Sequence, residues 1–507
     1  MLAERGLRSG VSGVRGRAGA TYGRPVSEPA PHHVTARPPT PPPGLPATLA
    51  ELRATGHELL GVKDEIRRNL IALMRSGRPR FPGVVGFDDT VLPDLERALL
   101  AGHDVVLLGE RGQGKTRLIR TLVGLLDEWT PAIADAELHE HPYAPVTPAS
   151  RRRAAELGDD LPVTWVHRSD RYAEKLATPD TSVGDLIGDV APIKVAQGRT
   201  LGDPETIHFG LVPRTHRGIF AVNELPDLAE RIQVSLLNVL EERDVQVRGY
   251  VLRLPLDVLL VASANPEDYT NRGRIITPLK DRFGAEIRTH YPLDVDLEIG
   301  LMRQEARLVA DVPEYLLEVL ARFTRAVRES PAVDARSGVS ARFAIAAAET
   351  VGAAALRRAA LLGEDAAVAR AGDVGTVTAT LRGKVEFEAD GEGREIEVLD
   401  HLLRRCVAET WRSRLGGLDL SGFLRLVEDG HGVMTGDAVA SAELLHQVGT
   451  VPGLGQVLHR LGLDEIPSAA QAAGAVEFVL EGLHLTRRLA KDVLDDGRIL
   501  YGDAETA

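Results

Sequence analysis

The eight residues GERGQGKT constrain this chain more than any others. They are Gly109, Glu110, Arg111, Gly112, Gln113, Gly114, Lys115 and Thr116, and they fill the pattern G-x-x-x-x-G-K-T completely. The flanks carry as much weight as the pattern. Val105 to Leu108 are apolar and predict a buried strand, while the residues after Thr116 predict a helix. Glycines let successive backbone N–H groups curl around an anion. A helix beginning near Gly114 points the positive end of its dipole at the same anion. Lys115 adds a point charge for β- and γ-phosphates, and the Thr116 hydroxyl is a Mg²⁺ ligand. A chance turn of this composition is the bland alternative. The predicted chemistry is binding of ATP with Mg²⁺, on an α/β fold whose parallel sheet is covered by helices.

A second stretch, GIFAVNELPDL from Gly218 to Leu228, reads as a buried strand ending in Asn223-Glu224. The strand is expected beside that of the phosphate loop. Glu224 suits a general base or water-positioning group. Asn223 keeps an oxygen acceptor for a Mg²⁺-bound water but lacks the negative charge of the Asp usual there. That predicts a modified site with weaker Mg²⁺ attraction, not a dead one. Alternatively Asn223 simply caps the next helix.

The chain has 507 residues, is 44% apolar, and carries a net charge of -13. Residues 1–46 hold six Arg, no Lys and two acidic residues, so the remainder carries -17. Such an acidic body argues against broad nucleic-acid binding. No apolar run reaches the ~18–20 residues of a membrane helix. A single cysteine, Cys406, excludes an internal disulfide and fits a reducing compartment. It reads as a small core residue. Seven Lys against many Arg, with heavy Ala, Gly and Val use, point to a GC-rich, bacterial genome, and with the reducing compartment to a cytoplasmic protein.

Five segments are expected. Residues 1–46 form a disordered Pro/Arg-rich tail; it has no signal-peptide core. Residues 47–82 form N-terminal helices. Residues 83–292 form the nucleotide-binding core, with an irregular, Pro- and Gly-rich stretch over 130–215 and a β-hairpin over 245–256. Residues 293–370 form a helical lid. Residues 371–507 are mostly helical, with a possible strand at KVEFEA and helix through AAQAAGAVEFVLEGLHLTRRLAKD. ELHEHPY, with His139 and His141, reads as a solvated loop, although His-x-His beside carboxylates could bind a metal. Arg151 to Arg153 read as a charged helix start.

The loop GERGQGKT, the strand GIFAVNE, the later VASANPEDYTNRGRIITPLKDRFG and the insertions between them resemble the AAA+ ATPases of the magnesium-chelatase I-subunit and MoxR branch, over roughly 83–345. The resemblance implies a P-loop AAA+ core followed by an all-helical lid. It implies that Val84 to Phe87, with Val85 and Gly86, pack on the adenine. It also implies that Asn265 is the sensor holding the attacking water, that Arg282 is the arginine finger acting on a neighbouring subunit, and that Arg342, or Arg336, is the second-domain sensor. The bland alternatives are a strand-ending turn for Asn265, a surface ion pair for Arg282 and a solvated helix start for Arg342. The family pattern further implies a ring homo-oligomer, a hexamer, and a partner with a von Willebrand A domain on another chain. It leaves several functions open. One is a motor that remodels a partner, and another is the ATPase subunit of a true magnesium chelatase. A third is a nucleotide-gated scaffold with little hydrolysis. An activator acting on a sigma factor is disfavoured, because no GAFTGA-like loop occurs.

Overall fold

The computed structural model describes residues 39–190, 206–241, 245–247, 250–252, 254–266, 273–334, 338–388, 393–428, 432–463 and 466–503. The expected tail up to residue 38, part of the insertion (191–205), the hairpin turn at Arg248-Gly249 and Arg336 lie outside the described residues.

Helices α1 (Leu49–Ala54), α2 (Val62–Ser76) and α3 (Val91–Ala101) come first. Strand β1 (Val105–Leu108) leads through the glycine-rich loop into α4 (Lys115–Thr121). Strands β2 (Trp129–Ile133) and β3 (Val163–His167) pair antiparallel and bracket α5 (Pro148–Leu157). Next come β4 (Tyr172–Leu176), the antiparallel pair β5 (Gly188–Val190) and β6 (Ile207–Phe209), then β7 (Gly218–Asn223) and α6 (Glu230–Glu241). The expected hairpin is present as β8 (Val245–Val247) and β9 (Tyr250–Leu252). It is followed by β10 (Val258–Ala264), α7 (Thr277–Arg282) and β11 (Ala285–Arg288). The principal helices of the second half are α8 (Val295–Glu305), α9 (Glu314–Arg328), α10 (Ala341–Leu362), α11 (Glu395–Leu415) and α12 (Ala469–Leu485). They are accompanied by β12 (Val433–Gly436), β13 (Leu489–Val493) and β14 (Arg498–Asp503).

The main sheet has the order β11-β1-β10-β7-β4, and every pairing is parallel. β1, β7 and β10 are buried along their whole length, as strands covered on both faces must be. Their side chains divide by parity. Val106, Leu108, Phe220, Val222, Leu260 and Ala262 pack on one face with Ile232 and Leu236 of α6. Val105, Leu107, Ile219, Ala221, Leu259 and Val261 pack on the other with α2, α3 and α4. The stripe Leu225, Leu228, Ile232, Leu236 and Leu240 is buried as predicted, although its first two members precede the helix proper.

The α/β core with helices following it is as expected. Three local expectations are corrected. The irregular 130–215 stretch contains β4, an edge strand of the main sheet. KVEFEA forms no strand over its described residues, 384–388; Phe387 makes one isolated bridge to Val333. The helix predicted through residue 492 stops at Leu485, and Leu489–Val493 joins a three-stranded antiparallel sheet, β12-β14-β13. Beyond the main sheet one apolar core runs from Ile299 to Tyr501, so α8 to α10 and the later elements share an interior. α10 brings Ala344, Ala347, Ala348, Val351, Ala355 and Ala359 to its buried face, a small-residue surface that admits close helix packing.

Candidate nucleotide site

The parallel register aligns the carboxyl ends of the strands. Leu108 lies level with Ala264 and Arg288, and Asn223 with Leu176. Gly109, Asn223-Glu224, Asn265 and Thr289 therefore emerge along one edge, where ligands of open parallel sheets bind. One expectation needs correction here. The strand bearing Glu224 is not adjacent to β1, because β10 lies between them. Two strand spacings separate them by about 10 Å.

Gly112 and Gly114 take φ values of 75° and 76°, which only glycine adopts without strain. This curls the loop so that α4 starts at Lys115, with Gly114 as its cap. The Lys115 ammonium donates to the carbonyl oxygens of Gly109 and Glu110, the latter at 2.7 Å, and so lies over the loop. The Gln113 side chain turns inward from the loop. It is buried, and its Oε1 accepts from Thr289 Oγ1 at 2.8 Å, while its backbone N–H belongs to the loop.

Thr116 Oγ1 lies 3.5 Å from Asn223 Oδ1, which also accepts from Ser263 Oγ at 3.0 Å. The Glu224 backbone N–H donates to the same Ser263 hydroxyl at 3.3 Å. Glu224 sits at φ 56°, a left-handed conformation unusual for a non-glycine residue and frequent at functional sites. Asn223 Nδ2 donates to Glu174 Oε1 of β4 at 2.7 Å. Burial opposes ionisation of Glu174, but hydrogen bonds from Arg120, Tyr172 and Asn223 together hold its carboxyl below the usual range. Asn265 is buried at the end of β10.

Among the described residues the second half reaches the loop at Tyr291 and Ser340, and Gly338 lies beside the Glu110 side chain. Tyr291 Oη donates to Arg111 O at 2.8 Å, and the Arg328 guanidinium lies 4.3 Å from the Tyr291 ring centroid. Ser340, the cap of α10, sits so close to Gly112 that a Cβ at 112 would overlap the Ser340 Cβ and come 2.8 Å from its Cα. Arg342 follows in the same helix end and is exposed. Val85 and Gly86 face Gly300 and Leu297 of α8, so the Val84–Phe87 strap lies against the second half. Arg282 is at the exposed end of α7 and pairs with Asp281 at 3.4 Å.

The ELHEHPY loop is largely buried, against the expectation of a solvated loop: Leu138, Glu140, His141 and Pro142 are buried, and only Glu137 is exposed. The Glu140 carboxylate accepts from Thr147 N and Oγ1, both at 2.8 Å, and from Ser150 Oγ at 2.7 Å, fixing the start of α5. His141 Nε2 meets His57 Nε2 at 3.1 Å. Among the described residues no group of three or more His, Cys, Asp or Glu could hold a metal ion. Arg151 to Arg153 lie in α5, and Cys406 is a buried core residue. Among the described residues no helix is long and apolar enough to cross a membrane.

Ser263, Glu174, Tyr291, Thr289 and Ser340 are not singled out by the sequence reading. Ser263 carries a signal, since it lies two residues before Asn265 and so shares its strand parity. Glu174 and Ser340 carry none without the pairing of β4 and the approach of α10.

No family model matches the chain. The magnesium-chelatase 38 kDa subunit of Rhodobacter capsulatus is 29% identical over 251 residues, 48% of this chain and 65% of its own length. The chloroplastic magnesium-chelatase subunit ChlI-1 of Arabidopsis thaliana is 27% identical over 255 residues, 48% of this chain and 55% of its own length. The chain thus spans between about half and two thirds of the length of these relatives. A solved complex of the magnesium-chelatase subunits BchI and BchD aligns over 63% of this chain and 98% of that chain, at 22% identity and a TM-score of 0.33, too slight a likeness to carry an argument. The sequence relatives, taken with the order of the motifs, make this chain a distant homologue of the magnesium-chelatase I subunits, within the AAA+ ATPases.

Proposed function

We propose that the chain is an ATP-hydrolysing motor that works as a ring, a hexamer, and remodels or activates a partner protein bearing a von Willebrand A domain. The observation that carries the ATPase reading is the meeting of Thr116 and Asn223 oxygens at 3.5 Å, at the mouth of a glycine loop and one residue before Glu224. The donor set fits a magnesium nucleotide. Hydroxyl, amide and carboxylate oxygens are what a hard cation takes. Thr116 would hold Mg²⁺ directly and Asn223 through a water. Bound there, the ion would neutralise charge on the triphosphate. The backbone N–H groups of Gly112 to Thr116 cradle the phosphates, and Lys115 leaves its loop carbonyls to pair with them. Glu224 orients and deprotonates the attacking water. Asn265 holds that water. Arg342 touches the nucleotide from the lid, and Arg282 reaches the site of the next subunit.

Magnesium-dependent phosphate release from the wild type and from Glu224→Gln tests this reading. Release by the wild type, lost in the variant while ATP binding persists, supports the motor. The loss of charge at Asn223 favours a second reading, a nucleotide-gated scaffold; absence of release from both proteins, with binding intact, selects it. Capture of partners on Glu224→Gln with ATP separates the client classes. An A-domain protein supports remodelling, and a porphyrin-binding subunit supports chelation.

A further inference from the structure

Both ends of the Asn223 amide are engaged. Nδ2 donates to Glu174, while Oδ1 accepts from Ser263 and faces Thr116. Glu174 belongs to β4, the strand outside β7. Its carboxylate is gripped by a fork from Arg120, Nε at 2.8 Å and Nη2 at 3.0 Å, and by Tyr172 Oη at 2.9 Å. Arg120 lies four residues past Thr116 on α4, about one helical turn. Glu174 therefore ties together the helix that presents Thr116 and the strand end that presents Asn223.

An ionised carboxylate only accepts hydrogen bonds, whereas a serine hydroxyl both donates and accepts. A flipped Asn223 amide would still satisfy Ser263 but would set Oδ1 against the Glu174 oxygens. Glu174, not Ser263, thus decides which end of the amide faces Thr116. We propose that Glu174 is a positioning residue for the Mg²⁺ end of the site: held by Arg120 and Tyr172, it aims Asn223 Oδ1 at the position beside Thr116. The inference rests on the reading of this site as one for a magnesium nucleotide. It makes residues 174 and 223 a matched pair. An Asp at 223 would stand against the Glu174 carboxylate at hydrogen-bond distance, and like charges there repel.

The test is binding of a fluorescent ATP analogue to the full chain across a Mg²⁺ series, for wild type, Glu174→Gln, Asn223→Asp and the double variant. Thermal melts without nucleotide verify folding. Wild type is expected to bind the analogue more tightly with Mg²⁺. Glu174→Gln is expected to raise the Mg²⁺ concentration for half effect about tenfold, the scale of losing a group that orients a metal ligand. Its Mg²⁺-free affinity should be unchanged. Asn223→Asp should improve the Mg²⁺ response more when Glu174→Gln is also present than when it is introduced alone. An unchanged Mg²⁺ midpoint in Glu174→Gln, or an equal effect of Asn223→Asp with and without Glu174→Gln, overturns the proposal and leaves the nucleotide site standing. Should Glu174→Gln fail to fold, Asn223→Asp alone decides: no gain in Mg²⁺ response supports the matched pair, and a gain of about tenfold, the metal-affinity scale used above, overturns it. Wild type that binds no analogue removes the nucleotide reading and this inference with it.

Discussion

Gly112 and Gly114 offer a controlled pair of perturbations. Their φ values are 75° and 76°, so an alanine at either bears the same backbone strain, about 1–2 kcal/mol. Their surroundings differ. A Cβ at 114 meets nothing within 4 Å, whereas one at 112 overlaps the Ser340 side chain and approaches its Cα to 2.8 Å. Since backbone lies behind the Ser340 Cβ, the start of α10 must retreat or the loop must shift. Overpacking of this kind costs a further ~1–3 kcal/mol. Gly112→Ala should therefore lose that much more stability than Gly114→Ala. Urea unfolding of the full chain without nucleotide measures the difference. The near-ultraviolet fluorescence of Trp129 and Trp165 reports the half that carries the loop. Ser340→Gly should recover part of the excess in Gly112→Ala and little in Gly114→Ala. Equal losses in the two alanine variants would mean that Ser340 does not rest on the loop in solution, and the contact between α10 and the glycine loop would have to be abandoned.

Glu65→Gln should cost about 3–5 kcal/mol, because it strips the charge partner from Arg171, whose guanidinium is fully buried and forked onto Glu65 at 2.8 and 2.6 Å; a loss below about 1 kcal/mol, the scale of an exposed pair, would contradict this. Burial, aided by Arg217 and His139, lowers the His216 pKa to about 3, and its Nδ1 accepts from Asp257 N at 3.2 Å. The folded value is below the free one, so the contribution of the neutral ring is complete above about pH 6.5 and declines as pH falls toward 3, by about 1.4 kcal/mol per unit. His216→Asn should reduce the acid-side slope of stability by that amount, and denaturant midpoints between pH 7 and 5 would reveal an unaltered slope. Arg282→Ala should keep ATP affinity but lose hydrolysis by about 10³-fold or more. Mixing it with Lys115→Ala subunits should restore turnover if the arginine acts across a subunit boundary, and no restoration would assign it to its own surface pair with Asp281.

The loop from Gly109 to Thr116 is legible in the sequence because every requirement is local: an apolar strand, glycines and a helix start follow one another in the chain. β7 and β10 are legible because burial on both faces writes an unbroken apolar run. β4 is not. Tyr-Ala-Glu-Lys-Leu carries two charges, as an edge strand tolerates, and its pairing partner β7 is more than forty residues away. The order of strands around the site is likewise hidden, since nothing near Glu224 records that β10 inserts beside β1. β13 reads as helix because Arg487 and Arg488 continue a helical charge pattern past the true end of α12. The break is made by Arg487 itself at φ 61°. The buried state of Glu140 and His141 is hidden for a similar reason, since polar residues signal solvent until their partners are known.

The uninterrupted interior from Ile299 to Tyr501 also has mechanical weight. α10 is a 22-residue rod about 33 Å long. Its tip leans on the phosphate loop, and its alanine face is locked into that interior, where close packing leaves little slack to absorb a displacement. A displacement of Ser340 is therefore passed along α10 into that shared interior instead of being absorbed where it arises.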